Sequence, residues 1–165
     1  MASALPDDQI VCLCEQCGRA IELVHNGNER SALLALRTAS ELNQLERLIL
    51  GTDAPAGSGV QPLGILRMIA MLSALGEVSA ETAFCFATGN TARMRDLDTG
   101  IIEAAKAADF ILIDQAQHAP GRTILESIEQ GNLPGVGMTI IDGVVRSHRS
   151  RNTPPATTLP EIVGT

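Results

Sequence analysis

Aromatic residues are almost missing from this chain, which has three Phe, no Tyr and no Trp among 165 residues. A core built on rings is thereby excluded, and few ring faces remain on which nucleobases could stack. No apolar run approaches the length needed to span a bilayer. The first eight residues lack a basic region followed by an apolar block, so they do not read as a secretory signal. Positive charge is also scarce: 12 Lys and Arg stand against 19 Asp and Glu, a net charge of −7. Such a field repels a phosphate backbone. The basic cluster Arg146, His148, Arg149 and Arg151 sits beside a Pro-rich tail and reads as a solvated turn. Neither a nucleic-acid nor a membrane partner is expected. Four cysteines without a leader fit free thiols in a reducing compartment, so a cytoplasmic location is expected.

What the chain does have is aliphatic. Hydrophobic residues make up 45% and charged residues 19%, a globular composition long enough for one domain with a real core. The stretch from Arg47 to Gly59, Arg-Leu-Ile-Leu-Gly-Thr-Asp-Ala-Pro-Ala-Gly-Ser-Gly, organises the rest. Residues 48–51 read as a short buried strand that breaks into a Gly-rich loop carrying Asp53. A carboxylate just past such a strand sits where α/β proteins keep their chemistry, although it can also simply cap or bond its own backbone.

Upstream, Ile10, Leu13, Cys14 and Cys17 recur at helical spacing, predicting a helix from Asp7 or Asp8 to about Cys17 with Gly18 as its stop. Residues 20–24 read as a strand. Residues 25–28 form a turn with Asn28 as N-cap. Residues 29–45 form an amphipathic helix. Strand, helix and strand with short turns are the pattern of a right-handed parallel βαβ unit. That unit would gather His25, Asn26, Asn28 and Asp53 around one mouth. Downstream, Pro62 opens a strongly apolar helix. Ser79 caps a helix over 80–88, and a helical turn covers 91–95. A strand is predicted over 108–114 and a helix over 122–131. Residues 138–146 read as two strands about an Asp142-Gly143 turn, and the tail from Asn152 as extended. The composition shifts near residue 97 from helices and parallel strands to short β elements.

Several apparent sites weaken on inspection. Cys12, Cys14 and Cys17 suggest metal, but structural zinc takes four ligands in paired knuckles, and two of these cysteines fall on the apolar helix face. The Gly57-Ser58-Gly59 loop continues Val-Gln-Pro-Leu rather than the Gly-Lys-Ser/Thr of a phosphate loop. Ser58 also lacks the frame of a nucleophile elbow. His25 fits a ligand, a substrate contact or an ordinary polar turn residue. His118 and His148 are assigned no role.

Four stretches taken together resemble the C-terminal part of the amidohydrolase superfamily. They are Leu50-Gly-Thr-Asp53-Ala-Pro, Ser79 to Arg93 with its Ala-Thr-Gly-Asn90-Thr-Ala core, Gly100 to Asp114, and Ile141-Asp-Gly-Val-Val145. An unrelated α/β domain would need all four in the right order by accident. The strongest likeness is to members that open cyclic amides or enamides, through Gly27-Asn28, the loop after Asp53, Pro62 to Arg67, Ala87 to Asn90 and Ser150 to Pro155.

The resemblance implies an α/β partial fold: the last two βα units of a (β/α)8 TIM-type barrel over 1–97, strands of a small β-sandwich with one helix over 98–150, and a Pro/Thr-rich tail over 151–165. It implies that Asp53 is both metal ligand and proton shuttle, with Asn28 and Ser58 as substrate contacts. The complete enzyme would use a divalent metal, zinc or iron, on a small cyclic amide. Two departures stand out. Ala104-Ala105-Lys106 replaces the family's Pro-Gly-Lys turn, losing a glycine suited to positive φ. No His-x-His pair occurs, and the three histidines do not align with the family's ligands. The expectation is a chain that is inactive alone and binds no metal stably. The alternative is a non-catalytic subunit that associates through exposed strand edges, as a homo-oligomer or with a complementary N-terminal half.

Overall fold

The structure, a computed structural model, describes residues 5–25, 27–54 and 59–163. Its first unit is α1 (Asp7–Gln16), β1 (Ile21–Val24), α2 (Glu29–Glu41) and β2 (Leu48–Gly51), with a 3-10 turn at Leu45–Arg47 before β2. β1 and β2 pair in parallel, Ile21 against Leu48 through Val24 against Gly51. The βαβ expectation is met. Leu23, Leu48 and Leu50 face the helices, where Leu36 and Ala39 of α2 cover them. Ile49, alternating with these residues, is buried on the other face.

Three helices complete this layer: α3 (Gly64–Gly76), α4 (Ala80–Ala87) and α5 (Gly89–Arg95). Met68, Ile69 and Leu72 of α3 meet Ala80, Ala83 and Phe86 of α4 in the same core. Small alanines on α4 let the helices approach closely, and Phe86 fills the remaining space. Ser79 caps α4 by accepting the Thr82 N–H at 3.2 Å. Pro62 does not open α3. Leu63 takes a left-handed conformation (φ 60°), so the helix begins only at Gly64. The helix expected over 29–45 also ends early. Asn43 adopts φ 54°, and the chain tightens into the 3-10 turn that aims β2.

The second unit is antiparallel: β3 (Phe110–Asp114), β4 (Gly135–Ile141) and β5 (Val144–Ser147), with α6 (Ile124–Glu129) between β3 and β4. α6 is shorter than its predicted range because Thr123, not Arg122, provides the cap, accepting the Glu126 N–H at 3.1 Å. β3 likewise starts two residues late. The hairpin turn is where it was expected, with Asp142 at φ 53° and Gly143 at φ 71°, the two positive values a type I′ turn needs.

The tail lies beside the end of β3. Gln117 donates its N–H to Pro155 at 2.9 Å, and Thr157 donates to Gln115 at 2.8 Å. Gly135 on β4 makes room, since a methyl group there would sit 2.5 Å from the Ala156 backbone. The N–H groups of Gln115 and Thr158 hold the Asp114 carboxyl below its ordinary range, so acid weakens this clasp. Among the described residues, no helix is long and apolar enough to cross a membrane.

α1 ends without the glycine stop expected at Gly18. Its C-cap is Cys17, in extended conformation, and the free carbonyls are taken by the Arg47 side chain. Arg47 donates to Cys14 at 2.8 Å, to Arg19 at 3.0 Å, and also to Cys17 and the Gln44 side chain. Arg47 is only 8% exposed and forms no salt bridge among the described residues. The negative end of the α1 dipole serves as its counter-charge.

Replacing Arg47 with Leu should strand these carbonyls and lower unfolding stability by about 3 kcal/mol, read by urea denaturation. A loss below about 1 kcal/mol would contradict the role. Ala105 holds φ 69°, a left-handed conformation that suits glycine and strains alanine. Ala105→Gly should therefore raise stability by about 1 kcal/mol in the same assay, and no gain would mean that the turn relaxes at no cost.

Candidate active-site mouth at the ends of the parallel strands

Parallel pairing puts the C-terminal ends of β1 and β2 side by side, and His25 extends the ladder by donating its N–H to Gly51 at 3.0 Å. Beyond β2 the chain leaves through Thr52 and Asp53. Asp53 is exposed and has φ 51°, a left-handed conformation that Asp tolerates better than most residues. The Thr52 hydroxyl accepts the Ala54 N–H at 3.4 Å. The turn thus carries Asp53 past the end of the strand to an exposed position.

Asn28 stands at the neighbouring strand's exit and is exposed. Its side-chain oxygen accepts the Ser31 N–H at 3.1 Å and caps α2. Ser58 and Asn26 lie outside the described residues, so the structure brings Asp53 and Asn28 to one end of the sheet and leaves those two aside.

His25 does not join the mouth as expected. Strand alternation turns it toward the helix layer, where its ring lies against Gly64 at the start of α3. Both ring nitrogens are buried without a hydrogen-bond partner. Glycine at 64 also makes room for Thr52, because a methyl group there would sit 2.8 Å from the Thr52 side chain.

The residues that steady the mouth come from its far end. Asn90 is buried and donates to Leu45 and Leu48, each at 3.0 Å, pinning α5 to the start of β2. Asn90 of the Ala-Thr-Gly-Asn stretch therefore aligns the strand. Arg47 fixes the same strand from the α1 side. Sequence spacing pointed to Asn90 as a motif residue but gave no sign of the Arg47 cap, whose partners are main-chain carbonyls up to 34 positions away.

The cysteines do not converge on a shared point. Cys14 is buried, with its thiol directed at the Ala35 carbonyl and its pKa raised by burial, whereas Cys12 is exposed. Among the described residues no three His, Cys, Asp or Glu side chains are grouped to hold a metal ion.

Known proteins give this geometry its context. Residues 12–146 match the model of the amidohydrolase family. The chain is 36% identical over 154 residues to enamidase from Eubacterium barkeri, covering 93% of this chain and 40% of that protein. A crystal structure of enamidase, described as a new member of the amidohydrolase superfamily, superposes with a TM-score of 0.94 at 35% identity. That match covers 96% of this chain and 41% of the other. The chain belongs to the amidohydrolase family. Its α/β fold is that of enamidase over the matched part, and it spans about two-fifths of the length of these relatives.

Proposed function

We propose that this chain forms the C-terminal part of a metal-dependent amidohydrolase that hydrolyses a C–N bond in a cyclic amide or enamide. In this reading residues 1–97 are the last two βα units of a (β/α)8 barrel. Residues 98–150 belong to a small β-sandwich, and 151–165 are its tail. The observation that carries the reading is the placement of Asp53, an exposed acidic residue just past the C-terminal end of a parallel strand. Chemistry collects at that end in such folds.

A divalent metal, zinc or iron, is the family's means of activating water. The described residues do not fit such a centre on their own, since one carboxylate does not hold a catalytic ion against water. The remaining ligands belong to the part of the fold outside this chain. Asp53 would supply one ligand oxygen to such a centre, and its carboxylate would be the group to take up a proton from water and pass it to the leaving nitrogen. Asn28, and Ser58 from the adjoining loop, contact the small-molecule substrate. The purified 165 residues are inactive alone.

Assays on a cyclic enamide with added zinc or ferrous ion should give no turnover above blank for this chain by itself. Metal-dependent turnover would overturn the reading. Co-expression with the part of the Eubacterium barkeri enamidase that this chain does not match should restore turnover. Asp53→Asn should then reduce it about a thousandfold while leaving the fold intact, because Asn also accepts left-handed backbone.

A further inference from the structure

The basic turn after β5 concentrates positive charge in an acidic chain: Arg146, His148, Arg149 and Arg151 follow one another against a net charge of −7. Its cations are also unspent. Elsewhere Arg30 pairs with Asp7, Arg95 with Glu22 and Arg122 with Glu126, while Arg47 and Arg67 donate to main-chain carbonyls. Among the described residues, the side chains of Arg146, His148, Arg149 and Arg151 form no hydrogen bond and no ion pair. Like charges this close repel one another, and a negative group among them relieves that repulsion.

The turn is solvated, as its sequence suggests, but it is tied to the sheet. Ser150 donates its N–H to the Val136 carbonyl at 3.0 Å, and the Val136 N–H returns to the Thr153 hydroxyl oxygen at 3.1 Å. Val136 is a buried residue of β4, so the stretch 150–153 is fastened at both ends to the core of the second unit. Within it the Ser150 hydroxyl oxygen accepts the N–H groups of Asn152 at 3.2 Å and Thr153 at 3.3 Å. Just before it, the Ser147 hydroxyl donates to the Arg149 carbonyl at 3.2 Å. Beside this frame lies a cleft of about 610 Å³, lined by His148, Arg149, Ser150, Arg151, Thr153 and Pro155.

The chemistry of the lining is one-sided. Ser150 and Thr153 accept backbone N–H groups, and among the described residues neither O–H has an acceptor of its own. The two guanidinium groups can only donate, and no carboxylate lines the cleft. Such a wall calls for an anion rich in acceptors. A tetrahedral oxyanion takes donors from several directions and matches the guanidinium fork, whereas a carboxylate offers two oxygens in one plane. No aromatic ring lines the cleft, so a nucleobase finds no stacking face there. The acidic field of the whole chain does not decide the matter for a small ligand. It is screened beyond about 10 Å at 0.1 M salt, and the charges that line the cleft dominate.

We propose that the cleft at residues 148–155 binds a phosphate group, either as free phosphate or as the phosphate of a small non-aromatic ester. Arg149 and Arg151 supply the charge, and the Ser150 and Thr153 hydroxyls supply neutral donors. The proposal goes beyond the hydrolase reading and does not rest on Asp53.

The test titrates inorganic phosphate, glycerol phosphate and acetate separately into the full chain at constant ionic strength, with backbone amide shifts read by NMR. Phosphate is expected to move the amides of residues 148–153 saturably and to leave those of β1 and β2 in place. Acetate is expected not to saturate over the same range. Tighter binding of glycerol phosphate than of phosphate would identify an ester as the ligand, and binding no tighter would identify free phosphate. Arg149→Ala combined with Arg151→Ala should weaken binding at least about tenfold, with the β1 and β2 amides again unmoved. Arg149→Lys combined with Arg151→Lys keeps the charge but loses the fork, and should still weaken it by about threefold or more. The proposal is overturned by phosphate shifts that do not saturate, by acetate binding as tightly as phosphate, or by undiminished binding in either double variant.

Discussion

Arg47 stands where the first helix, the 3-10 turn and the second parallel strand meet, and the positions of all three follow from its side chain. A buried cation without an acidic partner would ordinarily be costly. Here the free carbonyls at the end of α1 surround it, so the helix dipole and the guanidinium satisfy each other. Because β2 begins at the next residue, the same contact sets where that strand starts. Asn90 grips the strand start from the opposite helix layer. With its base held from both sides, a four-residue strand can deliver Asp53 to a defined place.

This arrangement separates two kinds of residue. Arg47, Asn90, Gly64 and His25 are committed to packing and to the backbone, and they lie at the base of the strands or within the helix layer. Asp53 and Asn28 lie beyond the strand ends, where solvent and a substrate can reach them.

Much of the frame was readable from pattern alone. The apolar run at 48–51, the helical spacing from residue 29 and the Asp142-Gly143 turn report short-range physics, and the strand, the start of the helix and the turn are found where they were expected. Boundaries set by left-handed backbone were not readable. Leu63 gives no local sign of positive φ, and Asn43, which takes it readily, lay inside an apolar pattern that ran on to Leu45; they move the start of α3 and the end of α2. The glycine expected to stop α1 was displaced by a long-range cap, since a side chain donating to carbonyls about thirty positions earlier leaves no periodic trace. His25 was expected at the mouth because it follows a strand, but the side of the sheet it faces depends on the pairing register. The position of Asp53 past the end of a buried strand was legible because the apolar run at 48–51 is a local pattern.

The account stands or falls on whether Asp53 belongs to a centre completed by residues outside this chain. The direct measurement is the intact mass and metal content of the protein isolated from its native source. The account predicts a divalent metal in an assembly, or a longer chain, heavier than the 17.4 kDa of these 165 residues. A native species of that mass holding a stoichiometric metal by itself would contradict it.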